Sequence, residues 1–457
     1  MSALSSAASP LLGPLFASAK MRAALDDARL LQRMLDVEAA LAHAEATAKV
    51  IPQSAASPIA VACNARHFDL AALGEAAGRA GNVAIPLVKA LTAEVTKKNA
   101  SAARFVHWGA TSQDIIDTAS VLALRDARKL LDADLTKAVR GFVALAKKHR
   151  NTPMAGRTWL QQALPTTFGA KAGGYAASLA RVRTSLLDAI DRALVLQFGG
   201  AAGTLASLKG KGPAVAKALG KRLDLKVPEA PWHAHNDRLA AVAAVLGIAI
   251  GTCGKIAGDV ALLMQTEVGE VFEPAASGRG GSSTMPQKRN PALSAQVLAA
   301  AQLAPGFVSA MLAGLVQEHE RSTGGWQASW LALPQLLLLA SGAFERIAEI
   351  ATGLEVDKAR MAANLELTKG QVLTEAVQMA LGEKMGRAQA HEMLSAAAKR
   401  TAKNGKPLKD ELLSIPEVAN ALPRKQLDAL FVAGNYLGEA ARFAEASASA
   451  ALKSLKK

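Results

Sequence analysis

The sequence predicts an all-α protein, and three observations carry that prediction. Hydrophobic residues make up 51% of the 457-residue chain but aromatic residues only 4%. The apolar content therefore rests on Ala, Leu and Val, small or straight side chains that suit closely packed helices, whereas a sheet protein would carry more aromatic and β-branched residues. Apolar residues also recur at three- and four-residue steps, as in Leu30, Met34, Val37 and Leu41. Finally, two near-continuous apolar runs, Leu239 to Gly254 and Leu331 to Phe344, read as helices buried on nearly all sides, which need a large bundle around them. The length suits about three domains. We place them at 1–110, 111–353 (a long central helix bundle) and 354–457, where charge density rises and apolar runs shorten.

Along the chain, the first clear helix is expected from Asp26 to Lys49, ended by Ile51-Pro52. Shorter helical patterns follow to about Arg104. A long helix from Thr111 to His149 opens with Thr-Ser-x-Asp, whose hydroxyls and carboxylate can cap its first turn. Asn151 to Thr158, with Pro153 and Gly156, reads as a break, and helical periodicity resumes from Phe168 to Leu196. Phe198 to Trp232 is rich in Gly and Lys and holds Pro213, Pro228 and Pro231; it reads as a loop interrupted by a short helix near Ala214 to Leu223. Long apolar helices return from Arg238 to Val268, a Gly-rich loop spans Pro274 to Asn290, and helices follow to Gly353. The Lys-containing tail, Ala451 to Lys457, reads as disordered.

Lys plus Arg number 53 against 38 Asp plus Glu, a formal charge of +15. Such an excess suits a basic surface or an enzyme that draws in an anionic substrate. The positive residues are scattered and stacking aromatics are scarce, which argues against nucleic acid as the partner. Two cysteines, Cys63 and Cys253, are too few for a disulfide framework or a thiolate metal site. No basic residue precedes Lys20 and no compact apolar core follows it, so no signal peptide is expected. Leu239 to Gly254 is too short and too rich in Ala and Gly to read as a membrane span. The expectation is a cytoplasmic, oligomeric protein. His233 and His235 lack a third ligand at helical spacing, so no metal is expected. Gly199-Gly200-x-x-Gly203 is an incomplete dinucleotide fingerprint with no strand pattern around it.

The most informative stretch is Gly280-Gly281-Ser282-Ser283-Thr284-Met285-Pro286-Gln287-Lys288-Arg289-Asn290-Pro291. Glycines loosen its backbone, adjacent hydroxyls can transfer protons, and Lys288 lies six residues past Ser282. Taken alone it could be a flexible loop that happens to contain Ser. Two further segments run His107-Trp108-Gly109-Ala110-Thr111-Ser112-Gln113-Asp114 and Gly156-Arg157-Thr158-Trp159-Leu160-Gln161-Gln162. With Phe198-Gly199-Gly200-Ala201-Ala202-Gly203-Thr204, their order and spacing resemble the fumarase/aspartase superfamily over nearly the whole chain. That resemblance implies a fumarase/aspartase-like helical fold and a homotetramer whose active sites are shared between subunits. It also implies addition or elimination next to a carboxylate, and it implies no cofactor. Such chemistry passes through a dianionic aci-carboxylate, which needs positive charge and hydrogen-bond donors already in place.

By the same resemblance, Ser282 is the base in elimination and the acid in addition, its alkoxide stabilised by Lys288 and loop N–H groups. Asn290 is a carboxylate contact, and Thr111, Ser112, Thr158 and Gln161 bind further substrate oxygens. His107 is a site residue because its whole segment matches. His67, within Ala65-Arg66-His67-Phe68-Asp69, resembles a substrate-site histidine of adenylosuccinate lyase, though a surface or capping role fits it equally. Arg321 is a candidate carboxylate ligand, with a structural ion-pair cluster as the alternative.

One departure is chemically informative. Amine-releasing lyases and fumarase read Thr-His at the place of Thr158-Trp159, and pair that His with a Glu seven residues after the loop lysine, here Ala295. Both members of the leaving-group pair are absent. An amine or hydroxide benefits from proton delivery as it leaves, but a carboxylate, with a pKa of about 4, departs as a stable anion. The lactone-forming cycloisomerase branch of the superfamily does that chemistry on a tricarboxylate. The runs Leu196-Gln197-Phe198, Pro231-Trp232-His233 and Gln317-Glu318-His319-Glu320-Arg321-Ser322 resemble it. Trp159 is then expected to pack against the substrate or shape its curl. An amine-eliminating lyase such as adenylosuccinate lyase is the alternative that Trp159 and Ala295 oppose. A non-catalytic structural protein on the same scaffold is the alternative that Ser282 and Lys288 oppose.

Overall fold

The computed structural model describes residues 9–281 and 284–456. Helix dominates. The long elements are α1 (Asp27–Thr47), α2 (Ser112–Lys148), the hairpin β1 (Pro153–Thr158) and β2 (Gln161–Thr167), α3 (Phe168–Ala193), α4 (Gly212–Leu223), α5 (Asp237–Leu263), β3 (Val271–Phe272), α6 (Ala292–Ala313), α7 (Gly325–Gly353) and β4 (Glu355–Val356). Shorter helices fill the remainder up to a terminal helix, Ala440–Ser454. The chain divides into two compact units, each gathered from three separated stretches. Unit 1 comprises 1–134, 182–253 and 296–345; unit 2 comprises 135–181, 254–295 and 346–457. The dividing points fall inside α2, α3, α5, α6 and α7.

In unit 1, Asp26 caps α1 by accepting from the Arg29 N–H at 2.7 Å, and Met34, Val37 and Leu41 point into the core as the periodicity requires. Leu30, on the same repeat, is partly exposed. Ion pairs tie the helices together: Arg33 to Asp126 at 2.8 Å, Arg128 to Asp191 at 2.6 Å and Arg183 to Asp132 at 2.6 Å. Gly342 of α7 has to be glycine, because a Cβ there would lie 2.1 Å from the Phe16 carbonyl oxygen.

In unit 2, the segment expected to be only a break forms β1, paired antiparallel with β2 so that Thr158 faces Gln161 and Met154 faces Thr166. A hairpin of one six- and one seven-residue strand, carrying Pro and Gly, has too little alternation to announce itself. A second small core gathers Val377, Leu381, Ala390, Leu394, Leu408, Leu412 and Leu427. The tail expected to be disordered is helical through Ser454: Ala444, Ala448 and Ala451 recur at helical spacing and are buried, so the lysines sit on the outer face of an amphipathic helix. Lys457 lies outside the described residues.

Helices α5, α6 and α7 are long and apolar enough, by length and composition, to cross a membrane. Only 56%, 22% and 78% of their most apolar windows is buried within this chain. Ile248, Leu303 and Leu331 are among the large apolar side chains left exposed.

Candidate active site

The candidate residues are placed in three settings. The first, in unit 1, is the amino end of α2. Asp114 is 1% exposed and accepts four hydrogen bonds. Its Oδ1 accepts from the Gly199 N–H at 2.8 Å and His233 Nε2 at 3.0 Å; its Oδ2 accepts from the Gly200 N–H at 2.9 Å and the Thr111 N–H at 3.0 Å. The last of these is the reach-back half of a capping box. Gln113 donates to the His233 carbonyl at 2.7 Å and to Asp117 at 3.0 Å. Arg321 donates to Gln113 Oε1, to Thr111 Oγ1 and to the Ala201 carbonyl, each at 3.1 Å. Gln197 accepts from the Trp232 N–H at 2.8 Å. Four runs far apart in sequence thus converge to fix Thr111 and the half-buried Ser112 at a helix amino end, where backbone N–H groups favour an anion.

This network bears on two candidates. His233 is a partner of Asp114. Arg321 spends its Nε and Nη2 donors on the chain itself, so holding Thr111 in place is part of its work. Beside the cluster, Asp117 is fully buried; burial pushes its carboxyl up to about 7 although Trp326 Nε1 donates to it at 2.7 Å. His107, also in unit 1, faces Glu38, with Nδ1 and Oε1 2.6 Å apart. Burial disfavours its charged form, but the Glu38 carboxylate and its hydrogen bond, with Asp114 further off, outweigh that and leave the pKa raised. His67 ends a short 3₁₀ turn, exposed, with Nδ1 3.3 Å from the Ala62 carbonyl oxygen. Among the described residues no hydrogen bond joins it to the α2 cluster.

The second setting, in unit 2, is the β1–β2 hairpin. Thr158, Trp159 and Gln161 lie at its exposed tip, and Trp159 is 97% exposed. Trp159 and Leu160 both have positive φ, 53° and 64°, as a two-residue type I′ turn demands. For these side chains the left-handed region costs about 1–2 kcal/mol each. The base is clamped instead: Arg157 grips the fully buried Glu270 at 2.7 and 3.0 Å, Asn364 donates to Glu270 at 2.8 Å, and Gln162 donates to the Asn364 carbonyl at 2.9 Å. A bidentate guanidinium–carboxylate pair of this kind fixes orientation as well as distance.

The third setting, also in unit 2, is the Gly-rich loop. Ser282 and Ser283 lie outside the described residues. The loop is closed below them by the Asn290 N–H donating to the Gly280 carbonyl at 2.9 Å; Gly280 has φ 63°, and a Cβ there would lie 2.6 Å from the Asn290 oxygen. Arg289 anchors the same strap, pairing with Glu355 at 2.9 Å and lying 4.7 Å from the Phe272 ring centre. Glu273 caps α6 by accepting from the Leu293 and Ser294 N–H groups at 2.9 and 2.7 Å. Lys288, between these anchors, is exposed and has no partner among the described residues, so its charge is available to a ligand.

Sequence reasoning missed Glu38, Gln113, Glu270 and Glu273 as residues that hold the candidates in place, and read Asp114 only as a cap of α2. Glu38 did carry a signal, a carboxylate standing on the apolar stripe of α1 between Met34 and Leu41.

The architecture is helix-dominated, with a helix amino end fixed by a buried carboxylate in one unit and a Gly-rich loop bearing an exposed lysine in the other. A profile described as "Lyase" matches residues 5–306, and one described as "Adenylosuccinate lyase C-terminus" matches residues 370–446. The chain belongs to this lyase family, the fumarase/aspartase superfamily. Among its relatives, the 3-carboxy-cis,cis-muconate cycloisomerase of Bradyrhizobium diazoefficiens is 56% identical over 95% of this chain and 96% of that protein. That of Pseudomonas aeruginosa is 49% identical over 96% and 95%. The crystal structure of the 3-carboxy-cis,cis-muconate lactonizing enzyme of Pseudomonas putida superposes with a TM-score of 0.93 at 45% identity, covering 97% of this chain and 99% of that one.

Proposed function

We propose that this enzyme is a cytoplasmic 3-carboxy-cis,cis-muconate cycloisomerase, closing a carboxylate of that tricarboxylate onto a double bond to give 4-carboxymuconolactone, a step of protocatechuate degradation. The observation that carries the reading is near-full-length likeness to cycloisomerases at up to 56% identity. The loss of the His–Glu leaving-group pair at Trp159 and Ala295 agrees with it.

In the addition, a carboxylate oxygen bonds to the β carbon and the electrons of the double bond move onto the α carbon, next to a second carboxylate. The resulting aci-carboxylate is neutralised by fixed positive charge, which Lys288 of one subunit and the amino end of α2 of another supply. Ser282 then delivers the proton to the α carbon. Thr111, Ser112, Asn290, Thr158 and Gln161 hold the remaining substrate oxygens. In reverse the departing group is a carboxylate with a pKa of about 4, so no acid is needed on that side.

The working form is a homotetramer with sites shared between subunits. The apolar residues left exposed on α5, α6 and α7 support it, because exposed apolar faces of this kind are covered in an oligomer by further copies of the chain.

Two measurements test these readings. The ultraviolet absorbance of 3-carboxy-cis,cis-muconate should fall when the enzyme is added, while adenylosuccinate should release no fumarate. The opposite pair of results refutes the proposal, and no change in either would favour a structural role. Light scattering should give the mass of four chains, and a monomeric mass refutes the assembly.

A further inference from the structure

Two carboxylates stand on the apolar stripe of α1. Glu38 and Glu45 are 1% and 0% exposed, seven residues apart, and therefore on one face of the helix with Met34 and Leu41. A buried carboxylate costs stability unless it is paired. Among the described residues the side chain of Glu45 has no hydrogen-bond partner at either oxygen, whereas Glu38 has one at Oε1 only, the Nδ1 of His107. That contact is built at a cost on the other side too. His107 has φ 55°, a left-handed backbone that side-chain-bearing residues seldom adopt. Its side chain is 16% exposed, and Nε2 has no hydrogen-bond partner among the described residues. One nitrogen is locked inward and the other is left available.

We propose that Glu38 is a positioning residue for His107. It accepts a hydrogen bond from the Nδ1–H of an imidazolium and thereby leaves Nε2–H to donate to a substrate carboxylate. The proposal rests on reading His107 as a substrate-site residue and gives that residue a state and a direction. A neutral imidazole anchored by Nδ1–H leaves Nε2 as an acceptor, useless towards a carboxylate; an imidazolium donates from both nitrogens. Glu38 as a carboxylate favours the imidazolium. The charged or titratable groups facing this pair are Glu45 on the same helix, Asp114 on α2 and Cys63 beyond the helix Gln53–Ala62. Burial and the Glu38 charge push Glu45 up to about 9, so it stays neutral at pH 7. Burial likewise pushes the Cys63 thiol up and keeps it neutral. The charge in contact with the ring is that of Glu38.

The test compares Glu38→Gln with Glu45→Gln, a second buried carboxyl on the same face that does not touch His107. Turnover of 3-carboxy-cis,cis-muconate is measured from about pH 5.5 to 9, a window that brackets histidine titration. Over the same range, carbethoxylation of His107 by diethyl pyrocarbonate is followed by peptide mass spectrometry, which reports its neutral fraction without requiring turnover. Glu38→Gln should raise KM about tenfold, move the alkaline fall of kcat/KM to lower pH, and lower the His107 midpoint. Glu45→Gln should move neither. A merely structural Glu38 would change stability and leave both midpoints in place, which overturns the proposal. Equal shifts in the two variants also overturn it. If the His107 midpoint drops in Glu38→Gln but no form of the enzyme consumes carboxymuconate, the pairing stands and the substrate reading is what fails.

Discussion

The buried carboxyl of Glu45 should contribute a fall in the stability of this protein with rising pH, and Glu45→Gln should remove that contribution. An unfolded chain releases a glutamate proton near pH 4.3, whereas in the fold burial, and then the charge of Glu38, hold the proton until about pH 9. Between those values the native state binds one more proton than the unfolded state, so stability declines by about 1.4 kcal/mol per pH unit. The loss begins above the unfolded pKa and is complete above the folded one. From pH 6 to pH 8 the parent should therefore lose about 2.7 kcal/mol relative to the glutamine variant. The amide must find its own partners in the same apolar surroundings, so the variant can be the weaker protein at pH 6. The prediction concerns the change between the two pH values. Urea unfolding followed by circular dichroism, at equal protein concentration so that subunit association cancels, measures it. A gap between parent and variant that stays constant within about 0.5 kcal/mol, small against the predicted change, would refute the reasoning.

Three further outcomes are expected. Ser282→Ala should remove nearly all turnover while leaving substrate binding largely intact, because proton transfer acts on the transition state, and Ser283→Ala should cost much less; equal losses, read as kcat on carboxymuconate, would show the wrong serine had been assigned. The double change Trp159→His with Ala295→Glu should lower lactonisation, since it removes the indole expected to pack against the substrate and adds only an acid that a departing carboxylate does not need; a faster variant would mean that leaving-group protonation limits the parent. Glu270→Ala leaves Arg157 facing an empty buried site and should destabilise the fold by about 3–5 kcal/mol, measured as a shift in the urea midpoint, and an unchanged midpoint would show that the clamp at the hairpin base carries no load.

The helices could be read from the sequence because their signals are local. The stripe of Met34, Val37 and Leu41 fixes the facing of α1, Asp26 and Ile51-Pro52 mark its ends, and α2 opens where Thr-Ser-x-Asp permits a cap. The motif runs were equally visible, since each is a short word whose order along the chain can be compared. The hairpin was not visible. Its pairing of Thr158 with Gln161 depends on a turn at Trp159 and Leu160 that ordinary turn residues do not announce, and on the Arg157–Glu270–Asn364 clamp, whose members are about a hundred residues apart. The helical tail was missed because its stripe is alanine only, which carries little hydrophobic contrast beside lysine.

By itself the sequence determined a helical lyase of the fumarase/aspartase kind, the serine–lysine loop, and the absence of a leaving-group His–Glu pair; all of these are properties of residue identity and spacing. Only the tertiary structure decided what each polar group does. It paired His233 with Asp114, gave three of Arg321's hydrogen bonds to the chain, and set Glu38 against His107. The physical reason is that a buried donor or acceptor must find a partner in space, and the partners of Asp114 come from residues 111, 199, 200 and 233, which meet only when the chain is folded.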